Sequence, residues 1–262
     1  MNKLLLGIFL LFAVAFEEIQ QPSGECEDDP DCKAYADALT DAQEPTKEKI
    51  VKDLVAIKTD NSDLTFDKDG NVLMVISDRI DYYPYNSGDK FELKEDTMLT
   101  VYPFLQEECK TYTFYKTKRV IQALGFPPDS DMTGMIEVYV DLKKIFRGCP
   151  DPEISDKECQ LDIQMKGQVN QTDNSPWYCA ESFDQVSQKW VKINTEHFKW
   201  LCNKFEKSFR NEEIYDNSPW TGLGYTYDWG NEDHVGFSEF FAFEGTTVIF
   251  NKKKTIDEYC YA

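Results

Sequence analysis

Two hydrophobic periods run along this chain, and they separate predicted helices from predicted strands. Apolar residues recur at three- and four-residue steps over 33–43, 45–59, 115–124 and 182–210, which predicts four helices. Pro45 suits the first turn of the second of these helices. The last helix is the longest, and most of its lysines fall on the side opposite its apolar residues. The pattern therefore predicts a long amphipathic helix that buries one face.

Strand-like runs occupy much of the remaining chain. They are rich in β-branched and aromatic residues and are bounded by turn-forming residues. Asp69-Gly70 and Glu244-Gly245 mark two tight corners between such runs. Because helices and strands do not alternate regularly, we expect an α+β fold with a mainly antiparallel sheet and several helices. The predicted strands and hairpins are 64–77, 90–93, 98–103, 135–140 and 236–250.

Residues 1–15 have the layout of a cleavable secretory signal. One lysine precedes an apolar run from Leu4 to Phe12, and the small residues Ala13-Val14-Ala15 follow it. The run is too short to span a bilayer, and we expect no membrane span in the mature chain. The sequence therefore predicts a secreted or periplasmic protein. In an exported eukaryotic protein, Asn170-Gln-Thr172 would be an acceptor for N-glycosylation.

Acidic residues are unevenly distributed along the mature chain, and the net negative charge excludes nucleic acid and anionic lipid as partners. The full chain has 28 basic and 48 acidic residues, a formal net charge of −20, so we expect neither nucleic acid nor anionic lipid to bind it. Residues 16–44 predict an acidic, partly mobile N-terminal lead, because 17–44 hold ten acidic residues and one basic residue. Residues 45–262 are then expected to form a single α+β domain. Neither a nucleophile signature nor a glycine-rich phosphate loop is present, and no cofactor is predicted.

Eight cysteines indicate a disulfide-stapled protein. They lack a C-x-x-C pair, and the chain has two histidines, so no metal site is predicted. Up to four bridges are possible, and the sequence leaves their connectivity open. Cys26 and Cys32 suit a local loop, and a bridge at Cys260 would hold the C-terminus. The eight are Cys26, Cys32, Cys109, Cys149, Cys159, Cys179, Cys202 and Cys260.

The segment 220–239 is the densest in chemically useful side chains. Aromatic rings beside carboxylates are typical of a groove that stacks sugar rings and fixes their hydroxyl groups. We therefore predict that this region binds a small molecule or glycan. The predicted ligand-binding residues are Trp220, Tyr225, Tyr227, Asp228 and Trp229.

Two alternatives remain open. The first is a secreted hydrolase that acts on glycans, for which two carboxylates of the same region would serve as acid and base. The second is a surface interaction protein that uses the basic face of the helix predicted over 182–210, where Lys189, Lys192 and Lys199 would receive an acidic partner. The candidate catalytic residues of the first alternative are Asp228, Glu232, Asp233, His234 and Glu239.

Three segments of the chain carry a resemblance. Residues 124–128 read Leu-Gly-Phe-Pro-Pro, 145–154 read Ile-Phe-Arg-Gly-Cys-Pro-Asp-Pro-Glu-Ile, and 218–230 read Ser-Pro-Trp-Thr-Gly-Leu-Gly-Tyr-Thr-Tyr-Asp-Trp-Gly. In these segments the chain resembles a set of uncharacterised exported bacterial proteins with LGLPP, DLFRPCPDPEI and PWTRLGYTYDWG sequences. The chain departs from that pattern at Gly222, where arginine is expected, and at Gly148, where proline is expected. The resemblance implies export and a common fold, and it implies no reaction.

Overall fold

A computed structural model describes Cys26, residues 29–160, Cys179 and residues 196–261, together with the backbone of three short strands between 169 and 192. The predicted signal peptide lies outside the described residues. Of the predicted acidic lead, residues 16–25, 27 and 28 also lie outside them. Within the described part, no helix is long and apolar enough to cross a bilayer.

The helices are α1 Pro30–Ala42, α2 Phe104–Thr111, α3 Lys116–Ala123, α4 Glu196–Phe209 and α5 Ile256–Tyr261. The strands are β1 Val72–Asp78, β2 Lys90–Glu92, β3 Thr97–Val101, β4 Gly134–Val140, β5 Ile145–Arg147, β6 Val169–Asn170, β7 Glu181–Asp184, β8 Lys189–Lys192, β9 Tyr225–Tyr227, β10 Val235–Ala242 and β11 Thr247–Thr255.

An eight-stranded antiparallel sheet lies at the centre of the fold, which confirms the predicted α+β class. Its strand order is β2-β11-β4-β1-β3-β10-β5, and β9 also pairs with β10. Strands β6, β7 and β8 form a separate antiparallel sheet. Successive strand residues point to opposite faces, so Phe241 packs with the helices while Phe240 packs on the other side. The sheet therefore separates two hydrophobic cores.

The strands predicted from short apolar runs are confirmed. Strands β2, β3 and β4 lie at the predicted positions 90–93, 98–103 and 135–140. Strands β10 and β11 form the hairpin predicted over 236–250, with Gly245 at φ +79° in its turn. Gly70 takes φ +85° at the corner before β1, where the Asp67 N–H donates to the Asn71 carbonyl at 2.9 Å. Period-two patterning and turn residues therefore located most of the sheet.

Helix α1 confirms the helix predicted over 33–43 and packs into the helix-side core. Its Tyr35 is fully buried and donates its hydroxyl to the Asn217 carbonyl oxygen at 2.7 Å. The Tyr35 ring meets the Trp229 ring edge-on, with centroids 5.9 Å apart. This helix therefore lies against the region predicted to bind a ligand.

The helix predicted over 45–59 is wrong. Residues Lys47–Lys49 make one 3-10 turn, and the chain then runs alongside the segment 154–157. The N–H groups of Leu54 and Ile57 donate to the carbonyl oxygens of Lys157 at 3.0 Å and Ile154 at 2.7 Å. Positions 50, 51, 55 and 57 are β-branched, and such residues lose side-chain freedom in a helix. Pairing with a distant segment therefore replaced the local helix.

The single helix predicted over 182–210 is also wrong, because only its second half is helical. The backbone of 181–184 and 189–192 forms β7 and β8, and α4 begins at Glu196. Asn194 and Thr195 are residue types that favour a helix N-terminus, so the sequence did contain a signal for this break. Lys189 and Lys192 lie in β8, whereas Lys199 lies in α4. They therefore do not lie on one helix, as the prediction of a basic helix face required.

All eight cysteines form disulfides, as expected. The bridges at Cys26 and Cys260 confirm the predicted local loop and the predicted C-terminal staple. The Cys109 bridge ties α2 to α5, and the Gln106 side chain adds a hydrogen bond from Nε2 to the Tyr259 carbonyl at 3.1 Å. The four pairs are Cys26–Cys32, Cys109–Cys260, Cys149–Cys159 and Cys179–Cys202.

Arg147 in edge strand β5 is fully buried and joins three parts of the chain. Its Nε donates to the Glu153 carbonyl at 3.1 Å. Its Nη2 donates to the carbonyls of Asp156 at 2.9 Å and Val55 at 3.3 Å. Gly224 packs on the aliphatic part of the side chain, since a Cβ there would lie 2.7 Å from the Arg147 Cδ. Arg147 therefore fixes the loop closed by Cys149–Cys159 against its neighbours.

Candidate functional site

The five residues predicted to bind a ligand are packed inside the protein. Their exposed fractions run from 3% for Asp228 to 6% for Trp229. Each ring also donates a hydrogen bond from its N–H or O–H to an acceptor in the protein, as buried tyrosine and tryptophan residues usually do. The four contacts are Trp220 Nε1 to Glu239 Oε2 at 3.2 Å, Tyr225 OH to Lys49 O at 2.9 Å, Tyr227 OH to Asp41 Oδ2 at 3.1 Å, and Trp229 Nε1 to Phe126 O at 2.9 Å.

Asp228 is fully engaged by Arg119 of helix α3. The guanidinium donates in bidentate fashion, with Nη1 to Oδ1 at 2.8 Å and Nη2 to Oδ2 at 2.5 Å. The Gly230 N–H also donates to Oδ1 at 3.0 Å. The Arg119 guanidinium lies 5.1 Å from the centre of the Tyr112 ring. This carboxylate therefore anchors the turn after β9 to α3.

Of the other candidate catalytic residues, His234 lies next to Asp228: the Asp228 N–H donates to the His234 carbonyl at 3.0 Å, and the His234 Nδ1 lies 3.3 Å from the Asp228 carbonyl oxygen. Glu232, Asp233 and His234 are exposed on the turn between β9 and β10, and the His234 ring stacks on Tyr227 with centroids 4.9 Å apart. Glu239 lies further along β10, roughly 13 Å from the start of that strand at about 3.3 Å per residue. Among the residues described, this set is not brought together as a metal-binding cluster. Acid and base candidates of the predicted hydrolase are therefore spread along one hairpin.

Glu239 is the most strongly perturbed of these carboxylates. It is buried beside Trp220, and burial raises its pKa to about 8 although Lys204 opposes the shift. Lys204 lies 5.5 Å from the centre of the Phe241 ring, and burial lowers its pKa. A Cβ on Gly148 would lie 3.3 Å from the Glu239 Oε2 and 2.4 Å from the Phe241 ring. The core therefore closes tightly over this carboxyl group.

We expect Glu239→Gln to reduce the loss of stability that accompanies rising pH. The folded-state pKa of Glu239 exceeds its ordinary value of 4.5, so the folded protein binds this proton more tightly than the unfolded chain does. The free energy of unfolding should then fall by about 1 to 3 kcal/mol between pH 5 and pH 8.5 in the wild type. Urea denaturation at both pH values measures the difference. Glu232→Gln, on the exposed turn, is the control, and an equal pH dependence in wild type and Glu239→Gln would contradict the expectation.

A surface cavity of about 540 Å³ opens between α1, α3 and α5, and Trp229 is among its lining residues. Tyr115 and Tyr261 line it with side chains that are 85% and 75% exposed. Asp31 and Asp257 contribute carboxylates, and Lys116 and Lys118 contribute ammonium groups. The cavity therefore combines open aromatic faces with hydrogen-bonding groups of both charges.

Local contacts hold the walls of this cavity in place. The Lys116 ammonium donates to the carbonyls of Cys109 and Lys110, both at 3.0 Å, and lies 4.5 Å from the centre of the Tyr261 ring. Lys118 pairs with Asp31 at 2.6 Å. Tyr115 has φ +50°, a left-handed conformation that is uncommon for a bulky residue. The Lys118–Asp31 ion pair, the Lys116–Tyr261 cation–π contact and the left-handed backbone at Tyr115 thus hold the rim of the cavity in place.

Tyr115, Lys116 and Tyr261 were not singled out from the sequence, whereas Trp229 was. Tyr115 and Tyr261 are distant in sequence, and the Cys109–Cys260 bridge brings their segments together. A usable signal was the adjacent pair Phe114-Tyr115 before a lysine-rich helix, because exposed aromatic residues often mark binding surfaces.

Comparison of the chain with protein-family models, curated proteins and solved structures finds no match in any of the three. The function is therefore inferred from the geometry of the cavity.

Proposed function

We propose that this protein is exported and binds a neutral saccharide in the cavity lined by Tyr115, Trp229 and Tyr261. Four disulfides with no free cysteine support an oxidising compartment outside the cytoplasm, in agreement with the predicted signal peptide. The observation that carries the binding proposal is the pair of open tyrosine rings on a cavity rich in donors and acceptors.

The chemistry of the cavity favours a neutral, polyhydroxylated ligand. Its two carboxylates are balanced by two ammonium groups, so no strong preference for a charged ligand arises. Aromatic faces stack on the apolar side of a sugar ring, while charged and hydroxyl groups bind its hydroxyls. A volume of about 540 Å³ lies within the usual range for small-ligand sites. One or two sugar units fit this description.

The geometry does not favour the predicted hydrolase whose acid and base come from the region 220–239. A glycosidase needs two carboxyl groups flanking the scissile bond. Asp228 is held by Arg119, and Glu239 is enclosed by the core, so neither is open to a substrate. The region 220–239 contributes to this proposal through Trp229, which lines the cavity.

We expect Tyr115→Ala and Tyr261→Ala each to weaken saccharide binding by about 5- to 20-fold. Each substitution removes a stacking face worth about 1 to 2 kcal/mol without opening the core. A glycan array on the mature, disulfide-bonded protein would select the saccharide, and isothermal titration would give Kd for each variant. Both side chains are exposed, so thermal unfolding should change little.

Tyr82→Ala provides a matched control. Tyr82 is also an exposed tyrosine with a cation over its ring, in this case Arg79 at 4.6 Å, and it does not line the cavity. Its replacement should leave Kd unchanged. Absence of saccharide binding to the wild type, or equal losses in Tyr82→Ala and Tyr115→Ala, would refute the proposal.

A further inference from the structure

The four charged side chains of the cavity proposed to bind a saccharide differ in how far the protein already occupies them. Lys116 is buried, and its ammonium donates to the carbonyls of Cys109 and Lys110. Lys118 and Asp31 form an ion pair with each other at 2.6 Å. Three of the four charged groups are therefore engaged by the protein itself.

Asp257 is the fourth charged group, and it remains open to a ligand. It lines the cavity and is exposed to solvent. Within the described part of the chain, its carboxylate takes part in no hydrogen bond or ion pair. The hydroxyls of Thr113 and Thr117 also line the cavity, but they carry no charge. Because hydrogen bonds to a charged group are roughly twice as strong as those between neutral groups, Asp257 is the strongest open acceptor among these side chains.

Helix α5 places this carboxylate beside an aromatic ring. Asp257 and Tyr261 are four residues apart in α5, so their side chains lie on the same face of the helix, one turn apart. Side chains at this spacing have Cβ atoms about 5 to 6 Å apart. Both residues line the cavity, and both are exposed. A sugar ring that stacks on Tyr261 can therefore reach Asp257 with the hydroxyls on its rim.

We infer that Asp257 determines the specificity of this site, which selects a saccharide with two free hydroxyl groups on adjacent carbons. This inference rests on the proposed saccharide function. An ionised carboxylate has two acceptor oxygens and no donor, so it binds only ligand groups that donate. Two adjacent hydroxyls can donate one hydrogen bond to each oxygen, as the two N–H groups of a guanidinium do. A sugar in which one hydroxyl of this pair is missing, methylated or used in a glycosidic bond leaves one oxygen of Asp257 without its donor.

The wild-type protein tests the inference without any substitution. The probes are the methyl glycosides of glucose, mannose and galactose, which present neighbouring hydroxyls in three configurations. Titration followed by protein NMR gives Kd for each, and the monodeoxy analogues of the glycoside that binds most tightly are then measured in the same way. We expect two analogues, each lacking one of two adjacent hydroxyls, to bind at least about fivefold more weakly than the parent glycoside. Equal losses at every hydroxyl, or losses confined to hydroxyls that are not adjacent, would overturn the inference.

The variant Asp257→Asn identifies the acceptor on the protein. Asparagine has a similar size but one acceptor oxygen and no charge, so we expect it to bind the parent glycoside at least about fivefold more weakly. The same substitution should weaken binding of the two discriminated analogues by a smaller factor, because one of their hydrogen bonds to the carboxylate is already missing. Glu258→Gln is the matched control. It neutralises the neighbouring exposed carboxylate of α5, which does not line the cavity, and it should bind like wild type.

Failure of the inference can be told apart from failure of the saccharide function. If the wild type binds a glycoside and Tyr261→Ala weakens that binding, but Asp257→Asn loses no more affinity than Glu258→Gln, the inference is overturned and the saccharide function stands. If the wild type binds none of the three glycosides, the inference is overturned, and the glycan array decides separately whether the saccharide function stands. Losses from Asp257→Asn that are equal for the parent glycoside and for both discriminated analogues would also overturn the inference.

Discussion

Replacing both Cys109 and Cys260 by alanine is expected to lower the free energy of unfolding by about 3 to 5 kcal/mol. The two residues are 151 positions apart in sequence, so their bridge closes a long loop in the unfolded chain. Loop-closure entropy for that length corresponds to about 5 kcal/mol, and relaxation of the native state reduces the observed value. Chemical denaturation under non-reducing conditions measures the change. Alanine at both positions avoids leaving one unpaired thiol in the core.

The bridge Cys26–Cys32 is the matched control. Its cysteines are six positions apart, so the same entropic argument gives about 2 kcal/mol for its removal. A larger loss from the Cys26/Cys32 double variant than from the Cys109/Cys260 variant would contradict the expectation. The long bridge also holds α5 beside α2, and its removal should therefore weaken saccharide binding at Tyr261, while loss of the short bridge should affect that binding less.

Local sequence patterns predicted the sheet better than the long helices. Strands β10 and β11 follow from a two-residue period and a glycine turn, because both signals act between near neighbours. The stretch 45–59 has apolar residues at helical spacing, yet Leu54 and Ile57 bond to the segment 154–157. That partner is held by Arg147 and by the Cys149 bridge, a non-local arrangement that no period within 45–59 can reveal.

The sequence also predicted one part of the candidate site, Trp229, and missed another, Tyr115 and Tyr261. Aromatic density in 220–239 predicted a ligand site, whereas most of these rings pack in the interior, because a buried core and a sugar groove use the same residue types. Trp229 and Tyr225 have similar sequence surroundings, but of these two it is Trp229 that lines the cavity beside Tyr115. Tyr115 and Tyr261 become neighbours through one of the 105 pairings that eight cysteines allow. The proposed site therefore depends on the disulfide connectivity and on the exposure of each ring, which no local sequence pattern specifies.

Arg147→Met is expected to lower the free energy of unfolding by about 3 to 5 kcal/mol. Methionine can fill much of the space under Gly224, but it cannot donate to the carbonyls of Glu153 and Asp156. Those part-buried acceptors would lose their donor, and the Asp156 carboxylate would lose the guanidinium 3.6 Å away. Urea denaturation gives the change in free energy, and faster hydrogen exchange at Leu54 and Ile57 would show that their segment has been released.

Arg79→Met separates this effect from the general consequence of removing an arginine. Arg79 pairs with Asp81 at 3.0 Å and Asp131 at 3.3 Å, but these contacts lie in solvent, where surface ion pairs contribute little. Its replacement should leave the urea midpoint nearly unchanged. If Arg147→Met behaves like Arg79→Met, the buried arginine does not hold the Cys149–Cys159 loop. If it unfolds the protein more readily, the attachment of strand β5 to the segments around Val55 and Asp156 depends on this one buried cation.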